Sequence, residues 1–366
     1  MYDQQLLYKI AITHIPLVGA VLAKNVISFS GGVEAVFNQR KSSLVKIPGI
    51  GTKIAESIVM KKSFRKAEEE IAFLEKHSIK ALFYLDDTYP FRLKRVRDAP
   101  IVLYHKGDCD LNHTRIIGVV GTRRPSTYGR TVCERLLEEI SPTTPLVVSG
   151  LAYGIDIAAH RCALRLGLPT VGVMGTGFDR IYPAAHRKTA TEMLEQGGLL
   201  TEFGKGTLPE RENFPMRNRI IAGMCDALVV IESARRGGSM ITAEMANGYH
   251  KDVFAVPGRI GDEVSSGCNF LIKTNRAHLL EGGAELAEIM QWESKSGSVM
   301  SQRALFEELS EAEDQIYKML NKDVPTSIDR IYKESTLSAS EIAAALLNLE
   351  FKGMVKTLPG KMYILL

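Results

Sequence analysis

Hydrophobic positions along the chain follow two rhythms. Over residues 1–80, apolar side chains recur at helical spacing in LLYKIAITHI, VEAVFNQR, KSSLVKIPGIGTKIAESIVMKK and SFRKAEEEIAFLEKH, with no sustained period-two alternation. A small all-α unit is expected there. From about residue 115 the apolar residues gather into short β-branched runs: RIIGVVG, LVVSG, TVGVMG, GGLLTE, ALVVIE and DVFAVPG. Amphipathic patterns such as GRTVCERLLEEI, IDIAAHRCALRLG and SMITAEMANGYH separate most of them. Strand and helix alternating at this spacing predict βαβ units, hence an α/β, Rossmann-like core whose mostly parallel sheet is covered by helices on both faces.

Residues 81–114 lead into that core and contain IVLYHKG, expected to be an edge strand that extends the sheet. The polar, small-residue stretch QWESKSGSVMSQR, residues 291–303, reads as a linker. Three helical stretches follow, EDQIYKMLN, SIDRIYKES and SASEIAAALLNLEFKG, then two short apolar runs around Leu-Pro-Gly-Lys. Ser338 and Glu341 have the spacing of a capping box for the third helix. Three helices and a hairpin are the layout of a winged helix. The expected organisation is a helical domain over 1–80, a Rossmann-like domain over 81–290, the linker 291–303 and a winged helix over 304–366.

Composition narrows this picture only modestly. Among 366 residues, 45% are hydrophobic and 24% charged, as in ordinary globular proteins. No apolar run is long enough to cross a bilayer, and the opening MYDQQLLYKI lacks a signal-peptide layout, so a cytoplasmic location is the default expectation. Five scattered cysteines, with no CxxC pair, argue against a disulfide framework and against a zinc site. A net charge of +4 is too small to imply a nucleic-acid partner by itself, so local clustering must decide.

Clustering occurs where strands end. The stretches GVVGTRRPSTYG, VVSGLAYGIDIAAH, VGVMGTGFDRIYP and ESARRGGSMITAEMA each pass from a strand through a glycine turn toward a helix or loop. In an open parallel sheet such turns converge on one edge, where glycine backbones and helix N-termini receive anions. The same edge collects Arg123 and Arg124 beside Gly121, Arg235 and Arg236 before Gly237, Gly238 and Ser239, and the run RENFPMRNRIIAG with Arg211, Phe214, Arg217, Asn218 and Arg219. A mononucleotide needs one or two cations, and no GxGxxG dinucleotide fingerprint is present. A polyphosphate strand with an aromatic to stack a base fits this rim better.

Catalytic signatures are sparse. His160 reads as a core or supporting histidine, Asp156 as a residue that closes the G-I-D turn, and Asp179 and Tyr182 as mainly structural. Glu202, Glu232 and Glu244 are the acids near the edge, and their spacing marks no acid/base couple. Neither a G-x-S-x-G elbow nor a GxxxxGK[ST] loop occurs. Hydrolase and ATPase readings thus lack their nucleophile or lysine, and no cofactor or metal is expected.

These stretches, together with TEFGKGTLPERENFPMRNRIIAG, VFAVPG and GCNFLIKTNRA, resemble the DNA-processing protein A (DprA/Smf) family, in family order over roughly residues 81–290. The resemblance implies a single-stranded DNA-binding protein that protects incoming DNA and loads RecA recombinase during natural transformation, and that forms homodimers. It implies phosphate contacts at Arg123, a cation at Arg211, a base-contacting aromatic at Phe214, backbone-facing positions at Arg217 and Asn218, and a groove lined by Gly237, Gly238 and Ser239. Members often carry Lys or Arg where this chain has Tyr153, which either stacks on a base or packs. An alternative rests on the likeness of GGSMITAEMA to a phosphoribohydrolase motif, in which Glu244 would assist N-glycosidic cleavage.

The flanks add secondary contacts. LVKIPGIGTKIAESI, residues 44–58, has a helix-hairpin-helix layout, in which Gly49 and Gly51 offer amides to a phosphate and Lys53 adds a cation. A docking αα-hairpin is the competing reading. The helix of SASEIAAALLNLEFKG carries few cations, only Lys352 following it, so groove reading by that helix is not expected.

Overall fold

The computed structural model describes residues 3–292, 309–320, 325–352, 354–358 and 361–365. The chain divides into two units, Met1–Lys295 and Ser296–Leu366. Most of the expected linker, residues 293–303, lies outside the described residues.

A nine-stranded sheet organises the first unit. Its strands are β1 (Lys80–Phe83), β2 (Val102–Gly107), β3 (Ile116–Gly121), β4 (Leu146–Ser149), β5 (Thr170–Val173), β6 (Gly198–Thr201), β7 (Ala227–Ile231), β8 (Asp252–Ala255) and β9 (His278–Leu279), arranged in the order β1-β2-β6-β5-β4-β3-β7-β8-β9. From β6 through β9 all pairings are parallel, while β1 and β2 are antiparallel. All six strands read from apolar runs are present. IVLYHKG is not an edge strand, because β1 pairs along its outer side with Lys80 opposite His105. The segment KALF carries no β-branched residue and begins exposed, so β1 does not stand out in the sequence pattern. It straddles the expected boundary at 80/81.

The parallel strands are buried on both faces, which explains why they read as continuous runs rather than alternating ones. Ile117, Val119, Val147, Val229 and Phe254 share one core with the helices Thr127–Ile140, Ile155–Arg165 and Gly283–Ile289. Ile116, Val120, Val148, Val173 and Val230 face the other, beneath helices Asn213–Met224 and Gly238–Gly248. The N-terminal helices, from Gln4–Ala11 to Phe64–Lys76, build a third core that continues onto Phe83, Ile101, Val102 and Tyr104. From that layer the buried Glu70 carboxylate accepts the Lys205 amide at 2.9 and 3.1 Å. The Gly49–Gly51 turn joins helices Lys41–Leu44 and Thr52–Val59, with Gly49 at φ +89° and Gly49, Gly51 and Lys53 exposed.

His160 is fully buried, as the sequence suggested. Its Nδ1 lies 2.7 Å from Thr170 Oγ1, and its Nε2 has no hydrogen-bond partner. Burial, reinforced by the charge of Arg217, pushes its pKa down to about 3. The folded chain therefore leaves this ring neutral where the unfolded chain, near 6.5, binds a proton. Stability from this residue is complete above about pH 6.5 and is lost as pH falls toward 3. In urea titrations, His160→Leu is expected to show a shallower loss of unfolding free energy than the parent between pH 6.5 and 4, by up to about 1.4 kcal/mol per pH unit. Parallel curves would refute it.

The second unit contains helices Glu311–Met319, Ile328–Glu334 and Ala339–Phe351, and the antiparallel strands β10 (Thr326–Ser327), β11 (Val355–Leu358) and β12 (Met362–Leu365). This is a winged helix around Ile316, Ile331, Ile342, Leu346 and Val355. Ser338 and Glu341 form the expected capping box, and Ser310 and Glu313 form another at the first helix. Pro359 and Gly360 of the hairpin turn lie outside the described residues. Lys352 pairs at 2.9 Å with Glu313, which removes the cation that follows the third helix from free solution.

Candidate nucleic-acid interface

Strand order creates the site. From β3 the chain winds through β4, β5 and β6 to one side, then places β7, β8 and β9 on the other. Loops leaving β3 and β7 diverge at this reversal, the position at which open α/β sheets receive ligands. The two loops are tied at their base, where the Thr122 amide donates to the Glu232 carbonyl at 2.7 Å. The Glu232 carboxylate accepts the Ser126 amide at 2.8 Å and the Ser126 hydroxyl. Close approach fixes two glycines here: a Cβ on Gly121 would lie 2.0 Å from the Ile231 carbonyl oxygen, and one on Gly154, at φ +86°, would lie 2.1 Å from that of Thr122.

An open groove of about 660 Å³ lies above this junction. Gly121, Thr122 and Arg123 come from the β3 loop, and Arg236, Gly237, Gly238 and Ser239 from the β7 loop and its helix. Arg211, Phe214, Arg217 and Asn218 complete it from helix Asn213–Met224 and the residues before it. The N-cap Gly237 gives helix Gly238–Gly248 no side-chain cap, and Gly237, Gly238 and Ser239 line the groove at the positive end of the helix dipole. Phe214 is half-buried and forms a wall. Its ring rests over Gly175, where a Cβ would come within 3.1 Å, with the Arg123 guanidinium 5.6 Å from its centroid and the Tyr182 ring at 5.8 Å. Among the described residues no acid pairs with Arg123, Arg211 or Arg236.

Two of the expected backbone-facing cations are committed elsewhere. Arg217 is 3% exposed and donates through Nη1 to the carbonyls of Gly150 and Val173, and through Nε to Asn218 Oδ1 at 3.1 Å. It forms the floor beside the buried Asp156, whose carboxyl burial pushes upward, and burial lowers Arg217 itself to about 10. Arg219 is buried as well, at 9% exposed. It donates to the Glu202 carboxylate and to the Asp98 carbonyl under helix Asn213–Met224. Both are corrections to the sequence reading: the helix turns these positions inward, Arg217 to strand-end carbonyls and Arg219 to Glu202 and the Asp98 carbonyl.

Tyr153 and Arg124 also belong elsewhere. They line a neighbouring open groove with Arg130, Arg161, Arg165 and His186, which the main groove meets at Arg123. Tyr153 is 50% exposed, and its ring stands edge-on to His186 at 4.8 Å. Arg165 is held by Glu138 at 2.9 Å. Sequence reasoning missed Arg130 and Arg161 here, although the four-residue step between Arg161 and Arg165 places both on one helix face. Arg235 stacks over Phe270, 4.2 Å from its centroid, outside the groove lining. Glu244 sits on the exposed face of its helix, 3.7 Å from Arg276, and is not a groove-lining residue.

Comparison with known proteins agrees with the sequence motifs. Residues 80–303 match the family model of DNA recombination-mediator protein A, and residues 302–361 match that of the DprA winged helix domain. Protein Smf of Synechocystis is 30% identical over 99% of both chains. The DNA processing protein DprA of Streptococcus pneumoniae is 42% identical over 56% of this chain and 72% of its own length. The crystal structure of the S. pneumoniae protein superposes with a TM-score of 0.69 at 32% identity, covering 80% of this chain and 99% of that one. A structure of the Helicobacter pylori protein, described for its single-stranded DNA binding mode, gives a TM-score of 0.53 at 28% identity, covering 58% and 95%.

Proposed function

Because this chain belongs to the DNA recombination-mediator protein A family, we propose that it binds single-stranded DNA in the strand-end groove and delivers that strand to RecA recombinase, acting as a homodimer. The observation that carries the binding reading is the convergence of three arginines without a salt bridge among the described residues, a helix start and the half-buried Phe214 on one groove. Arg123, Arg211 and Arg236 follow phosphates, the amides of Gly238 and Ser239 receive one more, and Phe214 stacks a base. Delivery to a recombinase is supported by the family assignment rather than by a surface in the fold.

The double charge reversal Arg123→Glu with Arg211→Glu tests this function. Both side chains are exposed, so the fold is expected to tolerate the change. Single-strand affinity should drop at least tenfold at moderate salt. The slope of log K against log salt should fall by about 1.4, or about 0.7 for each phosphate that is no longer neutralised. RecA filament assembly on single-stranded DNA coated by a single-strand-binding protein, followed with and without the chain, then tests delivery. Undiminished affinity in the double variant would overturn the groove, and RecA assembly unaffected by the parent chain would overturn delivery alone.

A further inference from the structure

A second group of cations lies at the opposite end of the same strands. The segment FRLKRVR, residues 91–97, carries Arg92, Lys94, Arg95 and Arg97. Arg92 is 8% exposed and serves as an anchor: its guanidinium donates to Asp226 at 2.5 Å and to the carbonyls of His113 and Thr114 at 2.8 and 3.0 Å. Asp226 in turn accepts the Ile116 amide at 2.9 Å. Those partners immediately precede β3 and β7, so the segment is pinned to the amino edge of the strands whose carboxyl ends build the groove.

Around that anchor, Arg95, Arg97, Tyr249, His250 and Lys251 surround a cavity of about 440 Å³. Arg95, Arg97 and His250 are exposed, and Lys251 is half-buried. Among the described residues, no acid pairs with Arg95, Arg97 or Lys251. Asp226 holds Arg92, and Asp98 accepts the Tyr249 hydroxyl at 2.8 and 3.0 Å. Burial lowers the Lys251 pKa; Asp226 opposes that shift, and Arg92 and Arg95 add to it, as expected for like charges held close together. Such a cluster is relieved by an anion presenting several oxygens, and guanidinium forks match phosphate geometry.

We propose that this amino-edge pocket is a second phosphate-binding site, occupied by a separate segment of nucleic-acid backbone, with Arg95, Arg97 and Lys251 as its cations. Six residues of β3 separate the two edges, a span of roughly 20 Å at strand rise. A short oligonucleotide seated in the groove therefore leaves this pocket free, and one chain holds two nucleic-acid segments on opposite edges of one rigid sheet.

Native mass spectrometry and fluorescence anisotropy of the full chain with a hexanucleotide test the assignment. The parent should bind two hexanucleotides per chain. Arg95→Glu with Arg97→Glu should bind one, with groove affinity unchanged, and Arg123→Glu with Arg211→Glu should retain the one that the first pair loses. The milder Arg95→Gln with Arg97→Gln should weaken the second binding event about tenfold without changing the melting temperature. A parent stoichiometry of one, or a second event indifferent to Arg95 and Arg97, overturns the proposal while leaving the groove intact. Loss of only the amino-edge event, with the groove variant still binding two, would instead overturn the groove. Inorganic phosphate and a mononucleotide supply the remaining arm. If either displaces the hexanucleotide from the Arg123→Glu, Arg211→Glu variant at equal phosphate concentration, the pocket takes small anions and the nucleic-acid assignment fails.

Discussion

Arg217→Met is expected to cost the fold about 3–5 kcal/mol, read as a shift of the urea midpoint at constant slope. The side chain is 3% exposed and satisfies the carbonyls of Gly150 and Val173 while its charge offsets the buried Asp156. Removing it leaves two carbonyls and a carboxylate in a site that water enters poorly, and an uncompensated buried charge is far costlier than a broken surface pair. Arg211, six positions earlier, is the matched contrast. It is exposed and has no acidic partner among the described residues, so Arg211→Met should leave stability within about 0.5 kcal/mol. Its effect should appear instead in DNA affinity. Should Arg217→Met unfold at the parent's midpoint and lose affinity like Arg211→Met, Arg217 touches the strand and is not the groove's floor.

The second large effect concerns Phe214→Ala. Stacking a base on an exposed aromatic contributes about 1–3 kcal/mol, so single-strand affinity should fall about 5- to 150-fold. The ring is seated against Gly175 and flanked by Arg123 and Tyr182, which pre-set its face toward the groove and leave little ordering cost on binding. Phe214→Trp should preserve the affinity. An oligonucleotide with an abasic site at each position in turn should erase the difference between parent and Phe214→Ala at one register. If parent and variant lose equally on every abasic strand, the ring packs the groove without touching a base.

Much of the core was readable from the sequence because burial on both faces removes alternation. RIIGVVG and ALVVIE can scarcely be anything except interior parallel strands. β1 and β9 were not readable, since four- and two-residue strands at the sheet margins draw their pairing from neighbours rather than from their own composition. The groove's location was legible in its glycine turns, which the sheet gathers onto one edge. What the sequence could not separate was the allegiance of individual arginines. Arg211, Arg217 and Arg219 differ by a few positions, yet one faces solvent and two face inward, to carbonyls just after β4, at the end of β5 and before β2, and to the Glu202 carboxylate. Those carbonyls lie dozens of residues away, so no local pattern announces them. Tyr153 shows the same limit: its turn was placed correctly at the strand ends, but the loop rotates its ring beside His186 in the adjoining groove.

The uncapped start of helix Gly238–Gly248 bears on how this protein should be dissected. Its donors are main-chain amides, which no alanine scan deletes. A library of side-chain substitutions would map Arg123, Arg211 and Phe214 faithfully while leaving the anion cradle unmarked, and its sum would fall short of the measured affinity. Gly238 offers a way in, since a Cβ there meets no protein atom within 4 Å. Placing an ester linkage at that position by chemical ligation would erase one donor while leaving every side chain in place, and so weigh the backbone's own share of recognition.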